Sequence, residues 1–250
     1  MMTMPVIRAE NITKKYGEKT VIENVSLELG KGELVCLLGV SGIGKSTLFS
    51  VLSGLSMPDS GHVYLFNEDI TGRPGHIGYM QQKDLLLPYK TVLDNVCLPL
   101  IIRGERKKAA RQTAAALLST FGLEGTQDKY PSQLSGGMKQ RAALLRTYIF
   151  GGRAALLDEP FSALDAITKS AMHRFYLGIM QQIELPTIFI THDIDEAITI
   201  SDRICVMNGN PGRITSEILI DEPKPRAADF TVSERFIAYK RQILSQLNME

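Results

Sequence analysis

The stretch LLGVSGIGKSTLFSVLSGL, residues 37–55, places three glycines and a lysine between two apolar segments of different character. The run ELVCLLG that leads into it, residues 33–39, has the length and the Leu and Val content of a buried strand. The run STLFSVLSGL, residues 46–55, repeats apolar residues at helical spacing. A glycine-rich loop between a strand and a helix is a phosphate-binding arrangement, so we predict that a phosphate group binds here.

Each residue type in this loop has a physical reason to be there. Gly39, Gly42 and Gly44 allow peptide N–H groups to turn inward, and the helix that follows points its positive end at the same spot. Lys45 reaches the outer phosphates as a point charge, and the Ser46 hydroxyl is placed to bind a magnesium ion shared with the nucleotide. The match to G-x-x-x-x-G-K-[ST] is complete and predicts a nucleoside triphosphate site. An ordinary turn of small residues is the alternative.

Composition narrows the class of protein. The chain has 250 residues, a hydrophobic content of 44% and a formal net charge of +1, which suits one large α/β domain or two small ones. The overall charge gives no reason to expect a nucleic-acid partner. The cysteines at 36, 97 and 205 form no C-x-x-C pair and are predicted to be buried thiols. We find no signal peptide and no apolar stretch near the roughly 20 residues of a membrane span, so work at a membrane is expected to require docking onto another subunit.

Strand-like and helix-like runs alternate along the chain, which predicts an α/β fold with a mainly parallel sheet. Three strand-like runs open the chain, VIRAENITKKY, VIENVSLEL and VYLFNEDI, and suggest an antiparallel patch. Residues 91–150 carry helical periodicity and form the predicted helical insertion. Strands return at RAALLDE, LPTIFITHD and DRICVMN. We therefore predict a single domain over residues 1–250, in which residues 1–90 and 151–250 form the core and residues 91–150 the helical subdomain.

The second informative stretch is AALLDEPFSALD, residues 154–165, in which an apolar strand ends in two adjacent carboxylates. Ligands meet an α/β sheet at the carboxyl ends of its parallel strands. Asp158 is placed there to hold the magnesium ion, and the neighbouring Glu159 to act as a general base toward an attacking water. The alternative is a strand that ends in solvated acids before the turn at Pro160, and the phosphate loop argues against it.

In the stretch FITHDIDEA, residues 189–197, an apolar strand again ends at a polar residue, here a histidine. Its apolar strand ends beside His192, which then projects at the edge where the phosphates would bind. A donor at that place binds the γ-phosphate and holds the water and Glu159 in line. His192 is therefore a third candidate catalytic residue, besides Lys45 and Glu159, while the other three histidines are predicted to be surface or packing residues.

A second anion site is predicted in SQLSGGMKQRAALLR, residues 132–146. Ser135, Gly136 and Gly137 stand directly before a long helical pattern, so their N–H groups and the helix N-terminus attract an anion. A plain helix cap is the alternative. One chain thus carries two predicted phosphate-binding helix starts.

Together these motifs resemble those of the ATP-binding cassette (ABC) ATPases over nearly the whole chain. GVSGIGKST is similar to their Walker A loop, ALLDEP to their Walker B strand with its catalytic Glu, LSGGM to their signature, SALD to their D-loop and THD to their H-loop. The resemblance implies a RecA-like P-loop NTPase core that hydrolyses ATP to ADP and phosphate with Mg²⁺. The loop residues that it assigns to the nucleotide are Gly39, Val40, Ser41, Gly42, Ile43, Gly44, Lys45, Ser46 and Thr47.

The resemblance also implies roles for residues with weaker signals. Tyr16 in ITKKYG matches the aromatic residue that stacks on adenine, with a buried strand tyrosine as the alternative. Gln82 in YMQQKDLLLP resembles the Q-loop glutamine, a magnesium ligand and a sensor of the membrane subunit. Gln81 is adjacent to it, and the spacing from Pro88 favours Gln82. The implied metal ligands are Ser46, Gln82 and Asp158.

The mechanism that the family implies needs two chains. Two copies face head to tail, so that the signature of one chain caps the γ-phosphate held by Lys45 of the other, with Asp165 across the interface. ATP then joins a homodimer, and hydrolysis loosens it and moves an attached protein. The signature residues assigned to this contact are Ser135, Gly136, Gly137 and Met138.

Longer stretches resemble one branch of the family. LLPYKTVLDNV, LSGGMKQRAALLRT, DEPFSALDAITK, ITHDIDEAITISDRICVM and NPGRI are similar to ATPase subunits of bacterial importers for nitrate, sulfonates such as taurine, and pyrimidine precursors of thiamine. Met138 suits this branch, whereas Tyr89 stands where Trp is more common. The resemblance implies an integral-membrane permease received in a groove near residues 82–89 and the helical insertion. It also implies, indirectly, a solute-binding protein, and a place at the cytoplasmic face of the cell membrane.

Other classes of protein share parts of this pattern. Soluble ABC proteins that act on ribosomes or DNA usually carry two cassettes or a long coiled coil, and the sequence contains neither a second Walker A motif nor sustained heptads. A P-loop kinase needs neither LSGGM nor a partner chain. An exporter ATPase is the nearest alternative, although exporters often fuse the cassette to membrane helices. We therefore expect an importer ATPase without a nucleic-acid partner.

Overall fold

A computed structural model describes residues 4–151, 153–162, 164–224, 226–227 and 229–247. The strands are β1 (Ile7–Tyr16), β2 (Lys19–Leu29), β3 (Leu34–Leu38), β4 (Ser60–Leu65), β5 (Glu68–Asp69), β6 (Gly78–Met80), β7 (Ala155–Asp158), β8 (Thr187–Thr191), β9 (Arg203–Asn208) and β10 (Arg213–Leu219). The α-helices are α1 (Lys45–Leu52), α2 (Val92–Val96), α3 (Leu98–Ile102), α4 (Lys107–Leu117), α5 (Gly136–Gly151), α6 (Ala166–Ile183), α7 (Ile194–Ile200) and α8 (Glu234–Gln246).

A six-stranded sheet carries the predicted nucleotide-binding strands. Its order is β10-β9-β3-β8-β7-β6, and all neighbours except the β10–β9 pair run parallel. Every residue of β3, β7 and β8 is buried, as expected for parallel strands covered on both faces. The carboxyl ends of these three strands therefore meet at one edge of the sheet, which confirms the predicted α/β fold class.

A separate four-stranded antiparallel sheet has the order β2-β1-β4-β5 and confirms the predicted antiparallel patch. One predicted run is different in the structure. VYLFNEDI is not one strand, because Phe66 and Asn67 adopt φ values of 48° and 65° and turn the chain between β4 and β5. Positive φ at two successive residues forms a tight hairpin, so β5 returns along β4.

Two strands of the larger sheet carry no clear signal in the sequence. β6 has only three residues, too few for any periodicity to show, yet it leads the chain directly to Gln82. β10 is an edge strand whose residues are mostly exposed or half-buried, so its apolar pattern is weak. Short length and an edge position thus hide both strands from pattern analysis.

Residues 91–150, all of them described, contain α2, α3, α4 and most of α5, and no strand. The run TVLDNVCLPLIIR, predicted as helical, is divided into α2 and α3 at Cys97. Pro99 explains the division, because it has no N–H for the next helical hydrogen bond. Val96, Phe121 and Leu145 share one buried cluster with Leu157 and Phe189 of the large sheet, so these helices pack against the sheet that carries the site.

The three cysteines are free and buried, as predicted. Burial raises the pKa of all three thiols, and raises that of Cys205 to about 12. They are therefore packing residues rather than reactive groups. None of the described helices combines the length and the apolar composition that crossing a membrane requires.

Candidate active site

The glycine-rich loop lies between the end of β3 and the start of α1 at the carboxyl edge of the large sheet. Gly39 is required by close packing, because a Cβ there would lie 2.6 Å from the carbonyl oxygen of Met207. Gly44 caps α1 with φ 108°, and a Cβ there would lie 2.5 Å from Cγ2 of Ile22. Any larger residue at either position would displace the loop. The two glycines therefore allow the backbone N–H groups of the loop to lie at the start of α1.

Lys45, the first residue of α1, is buried, with 6% of its surface exposed. Its Nζ donates hydrogen bonds to the carbonyl oxygens of Gly39 at 2.7 Å and Val40 at 2.9 Å. Burial lowers the pKa of this ammonium, while the negative charges of Glu159 and Asp158 act in the opposite direction. The loop thus fixes a buried positive charge beside two carboxylates.

Asp158 ends β7 and is buried. Burial raises the pKa of its carboxyl group, and hydrogen bonds from the side chains of Ser46 and Tyr79 work against that rise. The Tyr79 hydroxyl lies 3.3 Å from Oδ2 of Asp158. Tyr79 has no role predicted from the sequence, because the three-residue strand β6 on which it lies is too short to show a pattern.

Glu159 adopts φ 44°, in the left-handed region that side chains disfavour. Its backbone N–H donates to the carbonyl oxygen of Ile190 at 3.0 Å. Its own carbonyl accepts hydrogen bonds from N–H and Oγ of Ser162, at 3.2 and 2.9 Å. Such a conformation costs about 1–2 kcal/mol in a non-glycine residue, so these contacts hold the glutamate in an unfavourable backbone state.

The Glu159 carboxylate contacts two of the other predicted site residues. Nε2 of Gln82 lies 3.3 Å from its Oε2, and Nδ1 of His192 lies 3.1 Å from its Oε1. Gln82 also donates to Oγ of Ser162 at 3.3 Å. These side chains follow three adjacent strands, β6, β7 and β8, which explains why residues far apart in sequence meet.

The same edge of the sheet holds a cavity of about 330 Å³. It brings the glycine-rich loop together with Gln82, Asp158 and Glu159, three of the residues predicted from other motifs. Val21, which the sequence did not single out, lies in its wall. The residues that line it are Val21, Ser41, Gly42, Gly44, Lys45, Ser46, Thr47, Gln82, Asp158 and Glu159.

The predictions for Gln82 and for Tyr16 each left one alternative, which can be compared with this geometry. Gln82 lines the cavity, whereas Gln81 lines a different, more apolar groove. Tyr16 ends β1 and is 56% exposed, so it is not a buried strand tyrosine. The Lys14 ammonium lies 5.5 Å from the centre of its ring, and Tyr16 is not among the residues that line the cavity.

The predicted second anion site lies elsewhere on the chain. Oγ of Ser135 accepts a hydrogen bond from N–H of Met138 at 3.3 Å, at the start of α5. Ideal Cβ atoms on Gly136 and Gly137 would lie 3.4 Å from Leu164 and 3.5 Å from Thr168. No signature residue lines the cavity around Lys45. Within one chain, the two predicted phosphate-binding helix starts therefore do not share a site.

Asp165 is a helix cap in this structure. Its Oδ1 accepts hydrogen bonds from N–H of Ile167 at 3.1 Å and of Thr168 at 3.0 Å at the start of α6. It does not line the nucleotide cavity. Ala163, inside the predicted D-loop, lies outside the described residues.

The donor set around the loop fits a magnesium ion bound together with phosphates. Ser46 and Asp158 offer a hydroxyl and a carboxylate oxygen, and Mg²⁺ prefers oxygen ligands. Gln82 donates its amide nitrogen to Glu159, so its amide oxygen remains as a third candidate ligand. No group of three or more His, Cys, Asp or Glu residues that could hold a metal occurs in the described part of the chain. Asp158 fits the way in which proteins usually hold Mg²⁺, which is through one or two carboxylates and the substrate phosphates.

Comparison with known proteins identifies the family. A sequence model of the family described as "ABC transporter" matches residues 22–162. The formylaminopyrimidine import ATP-binding protein ThiZ of Halalkalibacterium halodurans is 39% identical over 231 residues, covering 92% of this chain and 90% of that protein. The nitrate import ATP-binding protein NrtD of Synechocystis is 36% identical over 239 residues, covering 93% of this chain and 90% of that protein.

Solved structures agree with the sequence relatives. The dimeric, post-hydrolysis structure of the ATP-binding cassette MJ0796 bound to ADP and Pi has a TM-score of 0.73 and 30% identity, covering 87% of this chain and all of that one. The structure of cbiO1 from Clostridium perfringens, at 23% identity and a TM-score of 0.79 over 98% of this chain and 96% of that one, shows the same fold. The chain therefore belongs to the ABC transporter family and is one of its ATP-binding, ATP-hydrolysing subunits.

Proposed function

We propose that this chain hydrolyses ATP to drive solute uptake through a separate permease of a bacterial importer. The observation that carries the proposal is the contact of the Glu159 carboxylate with Gln82 and His192 at the cavity that also contains Lys45 and Asp158. That arrangement puts a proton acceptor beside a phosphate loop. The importer direction rests on relatives that are named as import ATP-binding proteins.

Each residue of the site has a separate role in the proposed hydrolysis of ATP. Loop N–H groups and Lys45 bind the phosphates, and Lys45 stabilises the charge that develops on the transferred phosphoryl group. A Mg²⁺ ion held by Ser46, Asp158 and Gln82 would neutralise further phosphate charge. Glu159 accepts a proton from the attacking water, while His192 and Gln82 hold its carboxylate in place.

Hydrolysis then requires a second copy of the chain. The signature around Ser135 is complete as a helix start but does not reach the cavity of its own chain. A head-to-tail homodimer supplies it from the partner, and one related cassette is itself described as dimeric. In this dimer the signature caps the γ-phosphate at Lys45, and Tyr16 stacks on the adenine of the nucleotide.

A groove beside the site is the proposed docking surface for the permease. It has a volume of about 600 Å³ and is lined mainly by apolar residues. Leu55, Leu85 and Ile102 line it and are 61%, 50% and 74% exposed, which is unusual for large apolar side chains. Arg146 of α5 donates to the carbonyl oxygens of Asp84 at 2.5 Å and of Leu85 at 2.8 Å, so it ties the helix of the signature to the loop that follows Gln82.

The groove connects a membrane partner to the chemistry. Tyr79 and Gln81 line the groove, while Gln82 and Asp158, the partner of Tyr79, line the nucleotide cavity. A helix of the permease in this groove would move both the signature helix and the glutamine that contacts Glu159. The chain would thus work at the cytoplasmic face of the membrane, with a solute-binding protein that contacts the permease.

The class of solute is proposed from the relatives alone. Their names concern formylaminopyrimidine, aliphatic sulfonates and nitrate. We propose a solute of this nitrate, sulfonate or thiamine-precursor type for the importer that this chain drives.

The first test captures the permease. Tagged Glu159→Gln protein is incubated with ATP and gently solubilised native membranes, and bound proteins are identified by mass spectrometry. We expect a polytopic permease, and we expect the substitution Ile102→Lys in the groove to abolish its recovery. The control is Leu219→Lys, an equally drastic change of a residue that is 70% exposed on the edge strand β10.

Two results would contradict this proposal, the first its importer function and the second the groove as the docking surface. One is recovery of ribosomal or DNA-repair proteins without any membrane protein. The other is recovery of the same membrane protein whether or not Ile102 is replaced, because the apolar groove would then not be the docking surface.

A further inference from the structure

A cluster of charged side chains joins α6 to the start of α7, and one of its members directly follows His192 in the chain. Nζ of Lys169 on α6 lies 2.7 Å from Oδ2 of Asp193 and 3.5 Å from Oε1 of Glu196. Nε2 of His173, one turn further along α6, lies 2.6 Å from the same oxygen of Glu196. None of these four side chains lines the nucleotide cavity, so ATP binding does not account for the cluster.

Glu196 is the buried member of the cluster, with only 4% of its side chain exposed. A carboxylate taken out of water must recover its lost hydration from partners that stay in place. Burial by itself would lower the pKa of the Lys169 ammonium, but the hydrogen bond with Asp193 and the charge of Glu196 raise that pKa above its ordinary value. The Lys169 cation is therefore held by two carboxylates at the start of α7.

Asp193 connects this cluster to the backbone around His192. Its Oδ1 accepts a hydrogen bond from N–H of Glu196 at 3.1 Å and so caps α7. Its own N–H donates to Oγ1 of Thr191 at 3.0 Å. Thr191 is the last residue of β8 and is buried. The chain is thus held directly before and directly after His192.

His192 depends on this backbone for the direction of its ring. Its side chain is 55% exposed, and its Nδ1 lies 3.1 Å from Oε1 of Glu159. A side chain that is more than half exposed receives little orientation from packing, so it projects where its backbone directs it. The distance between His192 and Glu159 is therefore sensitive to a shift of Asp193.

The same face of α6 also contacts the segment that carries Glu159. The ring of His173 lies 5.4 Å from the ring of Phe161, centre to centre. Phe161 is buried and follows Glu159 by two residues. Lys169 and His173 are four residues apart and so share one face of the helix. One helix face thus supports both partners of the contact between Glu159 and His192.

We propose that Lys169 is a positioning residue for ATP hydrolysis, which holds His192 against Glu159 through its ion pair with Asp193. The inference rests on the proposed roles of Glu159 and His192 and adds α6 to them. Asp165 caps this helix one turn before Lys169 and is also the residue proposed to lie across the dimer interface. The start of α6 therefore links that interface to His192.

NMR of the histidine rings in the full chain measures the position of His192 without relying on turnover. The chain has four histidines, so ¹⁵N-labelled rings give few signals, and His192→Gln identifies the one in question. We expect Lys169→Met to shift or broaden the His192 signals, because Asp193 loses its ion pair. Lys169→Arg, which can still pair with both carboxylates, should change them much less. Parental His192 signals in Lys169→Met would overturn the proposal.

Turnover measures the consequence for hydrolysis. We expect Lys169→Met to lower kcat at least about tenfold with little change in KM, and Lys169→Arg to restore most of the loss. In a His192→Ala background, Lys169→Met should cause no further loss, because Lys169 acts through His192. An equal loss in both backgrounds would mean a general structural effect and would contradict the proposal.

Two further variants separate positioning from loss of folding, with ATP binding as the check that each protein folds. Lys240→Met removes an ion pair of the same length, 2.7 Å, that joins α8 to Asp195 of α7. It should leave the His192 signals and kcat unchanged. Asp193→Asn keeps the helix cap and removes the charge that faces Lys169, so it should shift the His192 signals even if Lys169→Met does not fold.

This inference and the proposed hydrolytic mechanism fail in different ways. If the His192 signals move in Lys169→Met while kcat stays parental, Lys169 positions His192 as proposed and the role assigned to His192 in hydrolysis is wrong. If the signals stay parental in both Lys169→Met and Asp193→Asn, the positioning role is wrong and the role of His192 is unaffected.

Discussion

Glu159 combines an unfavourable backbone conformation with a carboxylate held between Gln82 and His192. We predict that Glu159→Gln retains ATP affinity and loses at least about 100-fold in turnover, because an amide cannot accept the proton of the attacking water. The shape and the backbone of the site stay the same in this substitution. ATP binding by equilibrium titration and phosphate release under saturating ATP measure the two effects separately.

A matched control exists for this substitution. Glu184 has the same φ of 44° and is exposed at the end of α6, so Glu184→Gln makes the same chemical change in the same backbone conformation. We expect its turnover to equal that of the parent. Normal turnover in Glu159→Gln would remove Glu159 from the role of general base.

Single residues show what motif spacing can and cannot predict. The strand ends at Asp158 and His192 were predictable, because apolar runs that stop at polar residues mark the edge of a parallel sheet. The spacing from Pro88 favours Gln82 over Gln81, and in the structure Gln82 lines the nucleotide cavity while Gln81 lines the apolar groove. Tyr79 was missed because its contact with Asp158 depends entirely on the pairing of β6 with β7.

At the scale of elements, the start of α6 carries a helix cap that is also a proposed interface residue. Asp165 caps this helix through two backbone N–H groups and is also the residue proposed to lie across the dimer interface. We predict that Asp165→Ala lowers the melting temperature of the nucleotide-free protein by about 2–4 °C, because it loses the cap. Asp165→Asn should leave the melting temperature nearly unchanged, since asparagine caps helices as well as aspartate does.

The same pair of variants tests the interface. If the Asp165 carboxylate acts across the dimer, Asp165→Asn lowers ATP turnover although the helix is still capped. Turnover and thermal unfolding measured on both variants distinguish the roles. Equal melting temperatures for the alanine variant and the parent would contradict the cap that the structure shows.

Elements were predictable where their patterns were long. The helix α5 and the buried strands β3, β7 and β8 lie where the sequence predicts them. The differences have local causes: Pro99 divides α2 from α3, and positive φ at Phe66 and Asn67 divides β4 from β5. Strands of three residues or at a sheet edge, such as β6 and β10, are fixed by pairing with their neighbours rather than by their own composition.

At the scale of the whole molecule, the separation of Lys45 from the signature predicts that a single chain is incomplete as an ATPase. We predict that Ser135→Arg binds ATP as a monomer but does not form the ATP-bound dimer, because a large side chain blocks the second anion site. In the Glu159→Gln background, which should accumulate the dimer, size-exclusion chromatography with ATP measures this directly.

The substitution also removes a helix cap, so its control must do the same. Ser233 caps α8 by accepting a hydrogen bond from N–H of Phe236 at 3.2 Å, and it belongs to no predicted nucleotide contact. Ser233→Arg should therefore dimerise normally with ATP. Full ATPase activity in Ser135→Arg would contradict the two-chain mechanism.

Because the backbone of Glu159 is left-handed, the residue that favours hydrolysis at this position is not the residue that favours stability. Glycine adopts φ 44° without strain, so Glu159→Gly would relieve a cost that the parent protein carries. A mutant library screened for heat tolerance alone would favour this change, and its winners would no longer turn over ATP. Directed evolution of this protein toward stability must therefore screen for hydrolysis in every round.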